Sequence, residues 1–188
     1  MEKQTSIKLH LGCGKRYLPG YTHIDLSDYP HIDHRCSVDQ LPMFEDESVD
    51  LIYASHVLEY FSDQESVVVL QEWRKKLKTG GILRLAVPNF EALCHKYFWG
   101  CDIKYISGPI LGIWEVSPGK TIQHKCLYDY EKLKCRLKDC GFPSVYFWDW
   151  KQVFVGALAN FDDYSQAYLP HMHKEDGVLI SLNVEAVK

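Results

Sequence analysis

The apolar positions of this chain change period along its length, and the changes predict an alternation of strands and helices. Ile7, Leu9 and Leu11 open a strand over 7–11 that stops at Gly12, and further strands are expected at 21–25, 33–38, 49–54 and 82–87. Between the last two the period turns helical. Val69, Leu70, Trp73 and Leu77 make one stripe of a helix over 63–78. Ser62 as N-cap with Glu65 three residues later is the capping-box pattern, and Gly80-Gly81 supplies a stop. A second helix runs from Tyr128 to Cys140, with Asp129 as cap, Leu133 and Leu137 inward and Gly141 at its end. Segment 144–150 is aromatic and strand-like. At the end, Val178, Ile180, Leu182, Val184 and Ala186 alternate with Ser181, Asn183 and Glu185, as in a half-buried antiparallel strand. Strands alternating with helices and then a late hairpin predict an α/β fold, a doubly wound sheet whose last pair is antiparallel. Two stretches, 89–127 and 151–177, take no part in that scaffold; long connections of this kind are usually lids or binding loops.

The chemistry begins where the first strand ends. Gly12-Cys13-Gly14 forms a turn at which glycines permit positive φ and close approach of backbone to a ligand. In an open α/β sheet this turn lies at the strands' carboxyl ends, where nucleotides bind. Asp25 closes the second strand, placed to accept hydrogen bonds from ribose hydroxyls. A dinucleotide would want a third glycine where Tyr17 stands, and about twenty residues before the acid. Gly14 and Asp25 are only eleven apart, which leaves room for a first crossover of a single helical turn broken by Pro19-Gly20. No Lys-Ser or Lys-Thr follows the glycines, so a phosphate-cradling loop is excluded. S-adenosylmethionine, with a ribose and an adenine but no phosphate, fits the turn and the acid better than a dinucleotide does.

Leu9-His10-Leu11-Gly12-Cys13-Gly14 resembles motif I of class I S-adenosylmethionine-dependent methyltransferases. Residues 41–60, from Leu41-Pro42-Met43-Phe44 through Asp50 to His56-Val57-Leu58-Glu59-Tyr60, resemble their loop, fourth strand and following helix. Residues 73–83 are similar to the helix and glycine turn before the fifth strand. The tail, 162–171 and 181–186, is similar to a small branch of predicted methyltransferases often found with surface-polysaccharide or nucleotide-sugar genes. The resemblance implies a Rossmann-like, seven-stranded, mostly parallel sheet with a C-terminal antiparallel strand. It also implies that Gly12, Cys13 and Gly14 line the methionine end and ribose, that Leu26 packs on adenine beside Asp25, and that Ser55 and His56 face the sulfonium end. Two positions depart from the family pattern. His10 stands where an acid is frequent, and Ser37 where an acid meets the adenine amine, leaving Asp39 or the Val38 backbone for that task.

Composition narrows the rest. At 188 residues one domain, 1–188, is expected, able to bury about 70% of its unfolded surface. A net charge of −4 gives no electrostatic footprint for nucleic acid, and the basic run Arg74-Lys75-Lys76 complements a helix C-terminus. Seven cysteines without a Cys-x-x-Cys pair point to reduced thiols and a cytoplasmic setting, and no signal peptide precedes the first strand. No apolar run is long enough to span a membrane. His124-x-Cys126 and His171-x-His173 lack a second pair at zinc spacing, so no metal is expected. Methyl transfer from a sulfonium gains most from alignment, and a hydroxyl acceptor also benefits from a base. His124, Asp163 and His171 are the candidates for that role, with Asp162, His173, Tyr164 and Tyr168 near two of them in a segment suited to a polyhydroxyl ligand. The expected activity is methyl transfer to a hydroxyl or amine of a small acceptor, with a sugar or nucleotide-sugar among the candidates. The competing readings are a nucleotide-sugar oxidoreductase, against which the missing third glycine counts, and a cofactor-binding homologue without turnover. Oligomeric state is not legible.

Overall fold

The computed structural model describes residues 6–188; residues 1–5, on which the expectation about a signal peptide partly rests, lie outside the described residues. In chain order the elements are β1 (Lys8–Leu11), β2 (Thr22–Asp25), β3 (His34–Arg35), β4 (Val49–Ser55), α1 (Asp63–Lys76), β5 (Leu77–Pro88), α2 (Phe90–Phe98) and α3 (Ile103–Leu111). There follow β6 (Trp114–Ser117), β7 (Lys120–Ile122), α4 (Tyr130–Asp139), β8 (Ser144–Phe147), α5 (Trp150–Val153), β9 (Tyr168–Leu169), β10 (Val178–Leu179) and β11 (Ser181–Val187). Seven strands form one sheet in the order β3-β2-β1-β4-β5-β11-β8. All neighbours are parallel except β11, which is antiparallel to both β5 and β8. This is the seven-stranded, mostly parallel sheet with an antiparallel C-terminal strand that the sequence led us to expect; the order of its strands comes from the structure.

Successive side chains of a strand point to opposite faces, and the two faces of this sheet are built differently. On one, Leu9, Leu11, Ile24, Ile52, Ala54, Leu83, Leu85 and Val184 meet Val69, Leu70 and Trp73 of α1 and Leu133 and Leu137 of α4. α1 has the capping box read from the sequence: Ser62 Oγ accepts from Glu65 N, and the Glu65 carboxylate from Ser62 N. On the other face, one register row runs His23, His10, Tyr53, Arg84, Glu185, Tyr146. No crossover helix separates β1 from β2, β2 from β3 or β3 from β4. Instead Leu18 and Tyr21 from the first turn, with Trp148, Phe154 and Phe161 from beyond β8, cover Tyr53 and Ala86. That cover is pinned by named bonds. Tyr53 Oη donates to Asp163 Oδ2 at 2.5 Å, Trp148 Nε1 to the Leu85 carbonyl at 2.8 Å and Asn183 Nδ2 to the Ser165 carbonyl at 2.9 Å.

Several expectations are corrected here. The first crossover has no helical turn; Leu18 N donates to His23 Nε2 at 2.9 Å, so a side chain of β2 braces the turn. Helix α1 stops at Lys76 rather than 78, because Leu77 turns extended, pairs with Val49 and is wholly buried before the glycines are reached. The strand expected over 178–186 is two strands. Val178–Leu179 pairs with β9, Ile180 N bonds the Ala167 carbonyl, and only from Ser181 does the chain join the main sheet. Segment 89–127 holds α2, α3 and the β6–β7 ribbon, and Leu93, Ile106, Ala167, Leu169 and Ile180 pack together beyond the end of β5. Segment 151–177 is scaffold in its middle: Asp163 and Ser165 to Leu169 are all buried.

Candidate active site

The carboxyl ends of β1, β2 and β4 converge on one edge. Gly12 and Gly14 both adopt left-handed conformations, with φ of +62° and +52°. A Cβ on Gly12 would collide with the Val57 side chain, whereas one on Gly14 would meet nothing within 4 Å. The first glycine is therefore demanded by the protein's own packing, and the second faces open space. Asp25 is 8% exposed and is held from both sides: Oδ2 accepts from Gly14 N and Oδ1 from Ser27 N, each at 2.7 Å. A carboxylate offers about four acceptor positions, so this one keeps about two for a ligand's hydroxyls. Leu26, the next residue, presents an apolar surface that is 38% exposed. The Cys13 thiol, buried and beside Asp25, is pushed up to about 12 and stays protonated. Val38 is buried and its carbonyl accepts the Trp73 indole N–H at 2.7 Å, which leaves half-buried Asp39 as the freer acceptor. His10 belongs to the loop-covered face instead, 2% exposed against Tyr53 with ring centroids 5.1 Å apart; burial drives it down to about 3.

At the end of β4 the Ser55 hydroxyl is buried without a partner, and His56 takes a φ of +55°. From His56 a polar chain runs inward. Its Nε2 lies 3.4 Å from Ser181 Oγ, Ser181 donates to Asn183 Oδ1 at 2.9 Å, and Ser165 Oγ donates to Asp163 Oδ1 at 2.6 Å. On its other side, His56 Nδ1 is 3.5 Å from Glu59 Oε1, and His124 Nε2 is 3.6 Å from the same oxygen. His124 comes from the connection after β7; its Nδ1 lies 3.2 Å from the Ile110 carbonyl and its ring meets Tyr60 edge-on at 4.7 Å. Glu59 is 1% exposed, with neither oxygen hydrogen-bonded. Burial pushes its carboxyl up to about 8, and pulls His56 down to about 3 and His124 below its ordinary value. Glu59 is the residue that sequence reasoning missed. Its short turn gives no helical period, and a Glu beside apolar Leu58 carries no sign that it faces inward.

The other expected base candidates are placed elsewhere. Asp163 accepts from Tyr53 Oη, Ser165 N and Ser165 Oγ, caps a short 3-10 turn and is pushed upward by burial, so it ties the cover to the sheet. His171 is exposed in the turn after β9. Asp162 pairs with Lys174 at 2.9 Å, and exposed His173 lies 3.6 Å from Asp176. Tyr164, 47% exposed, lies against His56 with ring centroids 5.3 Å apart and is the one aromatic of this segment that reaches the site. Among the described residues, no group of three or more His, Cys, Asp or Glu side chains is arranged to hold a metal ion, and no helix is long and apolar enough to cross a membrane. All seven cysteines are free.

Residues 9–85 match the model of a methyltransferase domain. Over 97% of its length the chain is similar to a methyltransferase from Archaeoglobus fulgidus that depends on S-adenosylmethionine, at 15% identity and a TM-score of 0.57, covering 86% of that chain. It is similar at 15% identity and a TM-score of 0.59 to a second such enzyme, from Thermotoga maritima, with 97% and 82% of the two chains covered. A third is the 1,6-didemethyltoxoflavin-N1-methyltransferase of Burkholderia thailandensis, seen with bound 1,6-didemethyltoxoflavin and S-adenosylhomocysteine; identity is 12%, the TM-score 0.55 and coverage 97% and 71%. No sequence among the curated proteins matches it.

Proposed function

We propose that this chain is a class I S-adenosylmethionine-dependent methyltransferase and that it delivers its methyl group to a hydroxyl or amine of a small, sugar-like acceptor held beside His56, His124 and Tyr164. The observation that supports this best is the Asp25 carboxylate, fixed at the end of β2 by Gly14 and Ser27 with acceptor positions to spare. When bound, S-adenosylmethionine supplies a methyl group already activated on a sulfonium. Asp25 takes the ribose hydroxyls, Leu26 packs on the adenine and Asp39 accepts from its amine. The open side of Gly14 lets the backbone approach the sugar without a Cβ in the way. Ser55 and His56 border the sulfonium end.

The acceptor's proton is taken by His124, whose Nε2 has no hydrogen bond and whose lowered basicity keeps the ring neutral at pH 7. Asp163 acts at one remove, holding Ser165 and through it the Asn183–Ser181–His56 chain. His171 has no part in this arrangement. A cytoplasmic location fits seven unpaired thiols. Isothermal titration with S-adenosylmethionine, S-adenosylhomocysteine and NAD tests the cofactor, and Asp25→Asn tests its seat. The first two should bind and NAD should not, with Asp25→Asn weakening both by about ten-fold. Preference for NAD, or affinity unchanged in Asp25→Asn, overturns the reading. Release of labelled methyl to added acceptors then separates an enzyme from a silent homologue.

A further inference from the structure

His56, Glu59 and His124 form a site short of donors. Asn183 Nδ2 is committed to the Ser165 carbonyl, so its Oδ1 receives the Ser181 hydroxyl proton, and Ser181 can only accept from His56 Nε2–H. Neutral His56 therefore turns a bare Nδ1 toward Glu59. The Ile110 carbonyl likewise fixes the proton of His124 on Nδ1, and its bare Nε2 faces the same carboxyl oxygen. Burial keeps both rings neutral and the carboxyl protonated at pH 7. One carboxyl proton then has to serve two bare ring nitrogens, and no other side chain donates to the second carboxyl oxygen. Tyr60 and Tyr128, whose phenols burial holds upward, Cys126 on the connection and Tyr164 on the outer side complete the titratable surroundings.

We propose, on the footing of the methyl-transfer reading above, that this cluster seats the reacting nitrogen of the acceptor, and that the acceptor is a primary amine entering as its ammonium. A hydroxyl brings one donor, which cannot complete the site; an ammonium brings three, matching the unfilled nitrogens and oxygen, and its charge is compensated once Glu59 ionises. A metal ion would also answer a shortage of donors, but the three groups are not arranged to hold one. On the solvent side, the exposed ring of Tyr164 lies on His56. As the cation enters, Glu59 releases its proton to solvent; the ammonium then gives one of its own protons to His124 Nε2, whose imidazolium is balanced by the Glu59 carboxylate. The freed electron pair forms the N–C bond as the C–S bond of the sulfonium breaks, the breaking pair stays on sulfur, and the product leaves as a methylammonium.

The test reads binding and needs no turnover. Protein with ¹⁵N-labelled histidines, saturated with S-adenosylhomocysteine, is titrated with methylammonium chloride and separately with tetramethylammonium chloride, which has the charge and no N–H donor. Saturable shifts of His56 Nδ1 and His124 Nε2 are expected with methylammonium, about ten-fold weaker or lost with tetramethylammonium. Glu59→Gln should abolish the response while S-adenosylhomocysteine titrates as in the parent; His124→Asn serves the same purpose if Glu59→Gln does not fold. Absence of a saturable shift, an equal response to both cations, or a response retained in the folded variants overturns the proposal. Failure of S-adenosylhomocysteine to bind, with the methylammonium shifts intact, overturns the cofactor reading and supports the amine site.

Discussion

The face of the sheet under α1 and α4 is held by area, and the opposite face by particular bonds. Under the helices, Leu9, Leu11, Ile52, Leu83 and Leu85 are fully buried against Leu70, Trp73 and Leu133, and any one contact is a small part of the whole. Across the sheet, His10, Tyr53, Arg84 and Glu185 stand in one row beneath a cover without a long helix, and Arg84 pairs with Glu185 while lying over the Trp148 ring at 5.3 Å. A polar row cannot attract an apolar stripe. It selects a cover that brings matching donors and acceptors, such as Asp163, Ser165 and the Trp148 indole. The lesson is that a doubly wound sheet tolerates the loss of its crossover helices on one side when its own strands supply the hydrogen bonds that fix the replacement.

The contrast can be tested by substitution, beginning with the largest change. Trp73→Ala empties the best-packed position of the helical face and orphans the Val38 carbonyl; a loss of about 3–5 kcal/mol is expected in urea unfolding. Asp163→Ala removes far less volume, yet leaves the buried Tyr53 hydroxyl unpaired, and should cost about 1–3 kcal/mol. If Asp163→Ala proves neutral, the second face is held by apolar contact like the first. Amide exchange supplies an independent measure: residues 163–169 should exchange as slowly as β5 in the parent and faster in Asp163→Ala.

Acidity sharpens the comparison further. The Glu59 carboxyl is raised to about 8, so the stability it contributes is fully present below its ordinary value near 4.5 and is lost as pH climbs through 8. Glu59→Gln should therefore unfold at higher urea than the parent at pH 8.5 on the order of 1 kcal/mol, with the gap closing or reversing at pH 5. A constant gap across that range would mean that Glu59 does not titrate there. His56 and His10 are lowered to about 3; their contribution is present above 6.5 and falls away with acid, in the opposite sense. At the small end, His171→Ala should change neither stability nor cofactor affinity by more than about 0.5 kcal/mol, and a larger change would return that histidine to the site.

What the sequence disclosed follows the same division. The capping box of α1 and the Asp129 cap of α4 were legible because a helix on an apolar face has to repeat its pattern; the alternating tail was legible as a strand, but not as one split at Ile180 and covered on both faces, where Ser181 and Asn183 are buried. Asp25 and the glycine turn were legible because a tight turn followed by an acid is local chemistry. Asp163 was noticed for its company of aromatics and acids and expected in the pocket; its partner Tyr53 is 110 residues away, and no local pattern announces such a bond. Gly12 offers a subtler case, since its requirement comes from Val57, a contact across two strand ends that spacing does not reveal. Glu59 escaped for the same reason, its histidine partners coming from the end of β4 and from the connection beyond β7.

The place of β11 fixes an order of events in time. The strand that joins β5 to β8 leaves the ribosome after both of its neighbours, and Lys188 ties it down by bonding to both Gly80 and Gly81. Until it emerges, β1 to β5 can pair with one another as a five-stranded sheet whose β5 edge is open, while β8 has no strand beside it. The apolar residues of β11, Leu182, Val184 and Ala186, thus reach the helical core after β5, α1, α4 and β8 are already made. Synthesis of this chain passes through a period in which a long edge strand is exposed and waiting, and a nascent protein in that condition is the form on which chaperones and aggregation compete.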